Sequence, residues 1–486
     1  MMNKSGKSLK QNFIMNAILT VSSFIFPLVT FPYVSRILQP IGIGKVSFAS
    51  SLISYFSMFA QLGIPTYGIR ACAVVQDDRE ELTRTAHELL VINLIMTVIS
   101  YGGFALALLF IPRLQEEKTL YMIISLSILF TSIGMEWFYK ALEQYTYITV
   151  RSIIFKMIAL SAMFLMVHRQ SDYITYGGIT IFAASASNIL NFINIHKYMD
   201  IRFVGGYCFR RHVKPVSVFF AMACATTIYT HLDTVMLGFM VTDADVGYYN
   251  AAVKIKLVLV GIVTSLGTVL LPRTSYYIRQ GLMEDFRRIT NKAVNFVVLL
   301  ASPLVFYFIL FAKEGIYFLS GSGYEDSIVP MQVIMPTLLL IGITNILGLQ
   351  ILVPMGKEKV VLYSEIIGAT VNVIINTVLI PRFVSVGAAI GTLAAELAVM
   401  LVQCYVLRNE ITVVFKQIHY FKIGFALVSS SAVSMGIKAM GFTNFQTLLM
   451  SAILFFGIYS LFLLLAREPV IIEIFTQILY RTRKNR

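Results

Sequence analysis

The sequence predicts an all-α polytopic membrane protein, and three observations carry that prediction. Hydrophobic residues make up 57% of the 486-residue chain and charged residues only 13%, where soluble domains carry about 25% charged residues. Mean hydropathy is +0.77. Apolar runs of about 20 residues, the length that crosses a bilayer as a helix, recur about 14 times between short polar connections. They fall near 12–34, 46–69, 88–111, 119–139, 147–167, 173–195, 216–241, 249–272, 292–312, 327–354, 360–380, 385–407, 420–440 and 446–466. No connection exceeds about 20 residues, which leaves no room for a soluble catalytic domain.

The chain opens with "MMNKSGKSLKQ" before its first apolar run. That charge order suits a signal peptide, but the run is too long for one and no small-residue cleavage site follows, so a retained first helix is expected. Lys and Arg then set orientation. With the N-terminus inside, about 28 basic residues fall on the cytoplasmic side and about 8 on the other, which predicts both termini in the cytoplasm. "KYMDIRFVGGYCFRRHVK" and "RTSYYIRQGLMEDFRRITNK" are the richest basic loops, while "TDADVG" has none. The net charge of +14 is therefore a topology signal and not a nucleic-acid footprint. Cys72, Cys208, Cys224 and Cys404 are scattered without metal-ligand spacing and read as small packing residues.

Pro27 and Pro32 in the first span, and Pro330 and Pro336 in the tenth, are expected kink points. Gly387, Gly391, Ala394 and Ala395 offer close helix approach. "GIGKVSFA" after the first span and "DVGYYNAA" after the seventh each place a Gly at the turn and an Ala five residues later: Gly44 and Ala49, Gly247 and Ala252. This hints at two parallel six-helix lobes plus a C-terminal pair. The expected domains are 1–200, 201–415 and 416–486, the last carrying a basic cytoplasmic tail.

Asp233 lies deep in the seventh span, where an ionised carboxylate costs roughly 2.5–3.5 kcal/mol and so needs a partner or a task. Asn372 and Asn376, an i,i+4 pair, and Thr392 fall at similar depth on the eleventh and twelfth spans. One carboxylate, two amides and a hydroxyl suit a small hard cation such as Na⁺, with the Ala388 carbonyl able to complete the shell. Glu396, one turn beyond Thr392, is a second ligand or a proton relay. Interhelical hydrogen bonding or an Asp233–Lys254 pair are the structural alternatives, and a proton-carrying Asp233 a further one. His231 is expected to face away from Asp233. No Walker A loop, HExxH or GxSxG motif is present, and "DAD" (Asp243, Asp245) sits in a short turn, so an enzyme is not expected.

"SRILQPIGIGKVSFASSLISYFSMFAQLGI", "MEWFYKALEQYTYITVRSIIFK", "YTHLDTVMLGFM", "VGYYNAAVKI", "LLPRTSYY" and "ILVPMGKEK" resemble the polysaccharide (O-antigen and capsule) flippase family, part of the multidrug/oligosaccharidyl-lipid/polysaccharide exporter superfamily. The resemblance implies a V-shaped, alternating-access transporter in the bacterial cytoplasmic membrane. It implies movement of polyprenyl-pyrophosphate-linked glycan repeats from inner to outer leaflet, coupled to a Na⁺ or proton gradient. Membrane lipid, a glycan polymerase and other polysaccharide assembly proteins are the implied partners, with no cofactor and no nucleic acid.

Such a cargo needs cations for its phosphates. The candidates are Arg36, Lys140, Lys156, Lys254 and Lys256, with snorkelling to the interface as the alternative for Arg36 and Lys140. Lys254 and Lys256 lie about 200° apart on one helix and cannot share a cavity face; Lys254 is favoured. In the related lipid II flippases, cavity arginines of helices 1, 2 and 8 bind pyrophosphate. Arg36 matches the first and Lys254 lies near the third, but the second span here has no basic residue. Helices 7, 11 and 12 hold the sodium site in those relatives, which the resemblance carries to Asp233, Asn372, Asn376 and Thr392. Tyr229, Tyr248 and Tyr249 are candidates for stacking on sugar. The rival readings are a drug/cation antiporter, a membrane-embedded glycan polymerase or ligase, and a lipid II flippase.

Overall fold

A computed structural model describes residues 9–200, 202–408, 418–469 and 471–472. The basic tail expected at the C-terminus lies outside the described residues from 473 onward. All regular elements among the described residues are helices. Ten of them are long and apolar enough to cross a membrane, or eleven if the bent pair Ser322–Ile334 and Thr337–Leu352 is one span, where the apolar runs predict about 14. Two of the ten are merged across kinks, and Lys118–Gly134 is apolar but short.

The chain forms two compact units, Met1–Gly247 and Tyr248–Arg486. The first holds α1 (Leu9–Gln61), α2 (Ile64–Val74), α3 (Arg79–Phe110), α4 (Pro112–Gln115), α5 (Lys118–Gly134), α6 (Glu136–Ala141), α7 (Tyr145–Met166), α8 (Tyr173–Ile181), α9 (Asn188–Asn194) and α10 (Arg210–Met240). Pro27 and Pro32 stay inside helical backbone; α1 leaves it at Gln39, with φ 55°. Pro40 follows, and its ring disfavours the α region for the residue before it. Polar side chains tie the spans together: Asn93 Nδ2 donates to the Ala60 carbonyl at 2.6 Å, and Thr97 and Gln61 reach Ser132 Oγ at 2.7 and 3.1 Å. A cluster around Trp137, Phe138 and Tyr139 fills the space beside α2, where Gly68 admits the Trp137 ring.

Helix α10 belongs to the first unit. Helix α10 packs on α1 and α2 because Gly63 admits the backbone at Phe219 and Phe220, and Gly238 admits the Phe48 ring. Its first turn is held by Glu88, fully buried, which accepts from the Cys208 amide at 2.5 Å, Arg211 at 2.7 Å and His212 Nε2 at 2.6 Å. The two turns singled out by sequence meet reciprocally. A Cβ on Gly44 would collide with the Asp243 carbonyl, and a Cβ on Gly247 with the Pro40 carbonyl. Each glycine thus faces the residue four before the other.

Helix α11 (Asp243–Arg279) crosses the boundary and leads into the second unit: α12 (Met283–Leu310), α13 (Ala312–Ser320), α14 (Ile328–Ile334), α15 (Thr337–Asn345), α16 (Glu358–Val406), α17 (Tyr420–Met435) and α18 (Asn444–Leu465). Pro336 sits in the 43° break between α14 and α15. Helix α16 kinks at Val384, φ 51°, an outlier for a β-branched residue. There Gly387 packs so tightly on the Leu379 carbonyl that no side chain fits. The helices expected as an appended pair, α17 and α18, pack against each other and on α12. Tyr307 OH donates to the Leu448 carbonyl at 2.7 Å and Tyr459 OH to that of Leu299 at 3.1 Å.

Candidate functional site

The second unit gathers its oxygen ligands on α16 and α11. Asn376 Nδ2 donates to Asn372 Oδ1 at 2.6 Å, and the Asn376 side chain lies on Gly391, where a Cβ would displace it. Thr392 donates to the Ala388 carbonyl at 3.1 Å and takes a hydrogen bond from Tyr249 OH at 3.0 Å. Asn372, Asn376, Thr392 and Glu396 are all buried. The kink at Val384 allows this: it sets both halves of α16 side by side, and Gly368 and Gly391 let them approach closely. A buried amide pair, two hydroxyls and a carbonyl form an oxygen-rich cluster within one unit, and Glu396 follows one turn beyond Thr392. Tyr249, a candidate for stacking on sugar, is buried in this cluster, and Tyr248 meets the ring of Tyr324 edge-on at 6.2 Å.

Asp233 belongs to the first unit, on α10, and is buried. Tyr55 of α1 lies within electrostatic reach of its carboxylate. His231 Nδ1 bonds Ser51 Oγ at 3.2 Å. His231 thus meets α1 through Ser51.

The five candidate cations have different fates. Lys140 is paired with Glu136 at 2.8 Å. Spacing explains the pairing, since i and i+4 are neighbours on a helix. Arg36 is exposed near the Gln39 kink and donates to the Pro32 carbonyl. Lys156, midway along α7, donates to Ser22 and Ser23 at 2.9 Å each. The carboxylate that acts on it electrostatically, Glu136, is already held by Lys140 and Arg151. Lys254 and Lys256 are half-buried on α11. Among the described residues Lys254 forms no ion pair.

Three further cations escaped the sequence reading. Arg151, with 4% of its side chain exposed, holds Glu136 at 3.1 Å, Ser187 at 3.2 Å and Asn188 at 3.1 Å. A π-helical turn, Phe182–Ala186, directly precedes those last two. Lys45 pairs with Glu117, which also accepts from Tyr173 OH at 2.7 Å. Arg113 binds Asp243 at 2.5 Å and Glu116 at 2.8 Å. The "DAD" acids are accounted for in this way, Asp243 by Arg113 and Asp245 by the Thr242 hydroxyl at 2.5 Å. Arg151 alone had a usable signal, as an arginine inside a predicted span. Among the described residues, no three His, Cys, Asp or Glu side chains converge as metal ligands.

The sequence pattern of the family described as "Polysaccharide biosynthesis protein" matches residues 9–277, more than half of the chain. The chain belongs to the polysaccharide biosynthesis protein family. The MatE pattern also matches, over residues 219–378, placing this polysaccharide biosynthesis protein in the exporter superfamily expected from its motifs. A protein of Escherichia coli (strain K12) named as an O-antigen transporter is 23% identical over 414 residues, covering 84% of this chain and 99% of that one. A Haloferax volcanii protein named as a low-salt glycan biosynthesis flippase, Agl15, is 20% identical over 53% of this chain and 50% of its own length. Among solved structures, the lipid II flippase MurJ in an inward closed conformation superposes with a TM-score of 0.72 at 17% identity, covering 94% of this chain and 99% of that one. An inward-facing multidrug resistance MATE family transporter gives 0.61 at 14% identity, over 83% and 99%. This polysaccharide biosynthesis protein is thus a multi-pass membrane transporter of the flippase type and not an enzyme.

Proposed function

We propose that the protein carries polyprenyl-pyrophosphate-linked oligosaccharides from the inner to the outer leaflet of a bacterial cytoplasmic membrane, with both termini cytoplasmic, and hands them to a glycan polymerase. The observation that supports an anionic cargo is a pair of lysines. Lys156 and Lys254 each lie inside a spanning helix, and neither forms an ion pair among the described residues. An uncompensated ammonium at such depth costs roughly 2.5–3.5 kcal/mol, a cost that a passing phosphate offsets and an organic cation raises. This argues against the drug/cation antiporter. The relatives are named as an O-antigen transporter and a low-salt glycan biosynthesis flippase, which supports a saccharide on the lipid.

Deletion of the gene tests the reading: a lipid-linked oligosaccharide should accumulate on the inner leaflet. New drug sensitivity without accumulation would favour the antiporter instead. In reconstituted vesicles, Lys254→Met should slow translocation about tenfold, the equivalent of ~1.4 kcal/mol, while Lys254→Arg keeps most of it.

Coupling to Na⁺ or protons would use the oxygen cluster around Asn372, Asn376, Ala388, Thr392 and Glu396, with Asp233 as the titratable charge on α10. An ion drives such a cycle only through different affinity for its two states. Asp233→Asn should remove the dependence of transport on an imposed Na⁺ or proton gradient at unchanged protein level. Full retention of that dependence would exclude Asp233 from the coupling step.

A further inference from the structure

The first unit carries an apolar trough of about 550 Å³ between α1 and α7. One wall is a stripe on α1 that includes Phe13, Ile18, Val21 and Phe26; the other includes Met157 and Leu160 of α7. The α1 positions recur at helical spacing, so they form one continuous face. Exposed apolar stripes are ordinary on a membrane protein. This one differs in its floor, where the Lys156 ammonium rests on the Ser22 and Ser23 hydroxyls, 2.9 Å from each, with apolar side chains in both directions along the helix. Two neutral hydroxyls do not neutralise the ammonium.

The trough matches a molecule with one anionic head and a long hydrocarbon chain. Its length on α1, from Phe13 to Val29, is about 24 Å at 1.5 Å per residue. One leaflet supplies only about 15 Å of the ~30 Å hydrocarbon core, so a two-chain phospholipid confined to its own leaflet fills only part of it. A single long isoprenoid chain can run its full length. Lys156 sits between two apolar arms of roughly 14 and 10 Å, measured along α1 from the serines. A phosphate held there could therefore keep its chain toward either end of the trough.

We propose that this α1–α7 trough seats the isoprenoid chain of the carrier lipid, with Lys156 holding its phosphate midway through translocation. The proposal rests on the flippase reading and adds where the lipid portion of the cargo travels.

The test uses the full-length protein in nanodiscs with undecaprenyl monophosphate as probe, and undecaprenol and phosphatidylglycerol as comparators. Val21→Trp fills the trough from an exposed position, and Ile18→Trp does the same should the first variant fold poorly. Lys156→Met removes the cation and Lys156→Arg restores it. The tryptophan variants should weaken binding of both undecaprenyl monophosphate and undecaprenol at least tenfold. Lys156→Met should weaken undecaprenyl monophosphate alone, with recovery in Lys156→Arg. Unchanged undecaprenyl monophosphate binding in Val21→Trp and Lys156→Met overturns the proposal, as does equal displacement by phosphatidylglycerol, which would mark a resident-lipid site. A parallel vesicle assay separates the two readings. If the unaltered protein moves lipid-linked oligosaccharide but these variants bind normally, the trough falls and the flippase stands. If binding follows the expected pattern but nothing is translocated, the flippase reading falls and the lipid site stands.

Discussion

At Arg151 a guanidinium lies almost wholly inside the protein, facing Glu136 on one side and Ser187 and Asn188 on the other. Glu136 also holds Lys140, so three charges form a chain carrying one net positive charge. Removing the buried member leaves Glu136 to Lys140 alone, and breaking a buried pair costs about 3–5 kcal/mol. Arg151→Met should therefore lower thermal stability by about 3 kcal/mol, at the lower end because water reaches Glu136. The double variant Arg151→Met with Glu136→Gln should recover much of the loss, as a thermal-shift cycle will show. How far these residues were legible depended on whether their partners were local. The Glu136–Lys140 pair follows from i,i+4 spacing. Arg151 depends on Ser187 and Asn188, some 36 residues onward, a distance that composition and periodicity do not encode. The Asn372–Asn376 pair was legible for the same local reason, whereas the part played by Tyr249 required knowing how α11 meets α16.

Among the helices, the reciprocal approach of Gly44 to the Asp243 carbonyl and of Gly247 to the Pro40 carbonyl decides how the turn between the halves of α1 meets the turn between α10 and α11. Both glycines lie in helical stretches, where alanine is normally favoured by roughly 0.5–1 kcal/mol. That gain is available only where space exists. Gly261 in α11 has no neighbouring atom where a methyl would go, while Gly44 and Gly247 have a backbone carbonyl there. Gly261→Ala should raise the melting temperature slightly, and Gly44→Ala and Gly247→Ala should lower it, a contrast of sign that thermal unfolding in detergent can check. The sequence pairing of "GIGKVSFA" with "DVGYYNAA" pointed to these glycines, because a repeated Gly marks a repeated steric demand. Kink positions were less legible. Pro27 and Pro32 stay within helix while Gln39, ahead of Pro40, leaves it; a proline bends a helix only if the neighbouring packing accepts the bend.

For the whole molecule, composition together with apolar runs of about 20 residues was enough for a helical membrane protein, since only 13% of residues are charged where soluble domains carry about 25%. The packing of α10 on α1 and α2 was not legible, because it depends on tertiary contacts rather than on any loop. Orientation has a direct check in a native residue. Cys208 is exposed in the stretch before α10, while Cys72 is buried and Cys224 and Cys404 are partly covered. A membrane-impermeant maleimide should label Cys208 in inside-out vesicles and spare it in intact cells; the reverse pattern would invert the topology. The Trp137 ring described above, wedged over Gly68, has a practical corollary, because it is the sole indole in the chain. Its Nε1 has no hydrogen-bond acceptor among the described residues, so its fluorescence should be blue-shifted and should come from the first unit alone. The protein thus contains its own optical probe, and a ligand that changes this emission must act, directly or at a distance, on the surroundings of a single side chain.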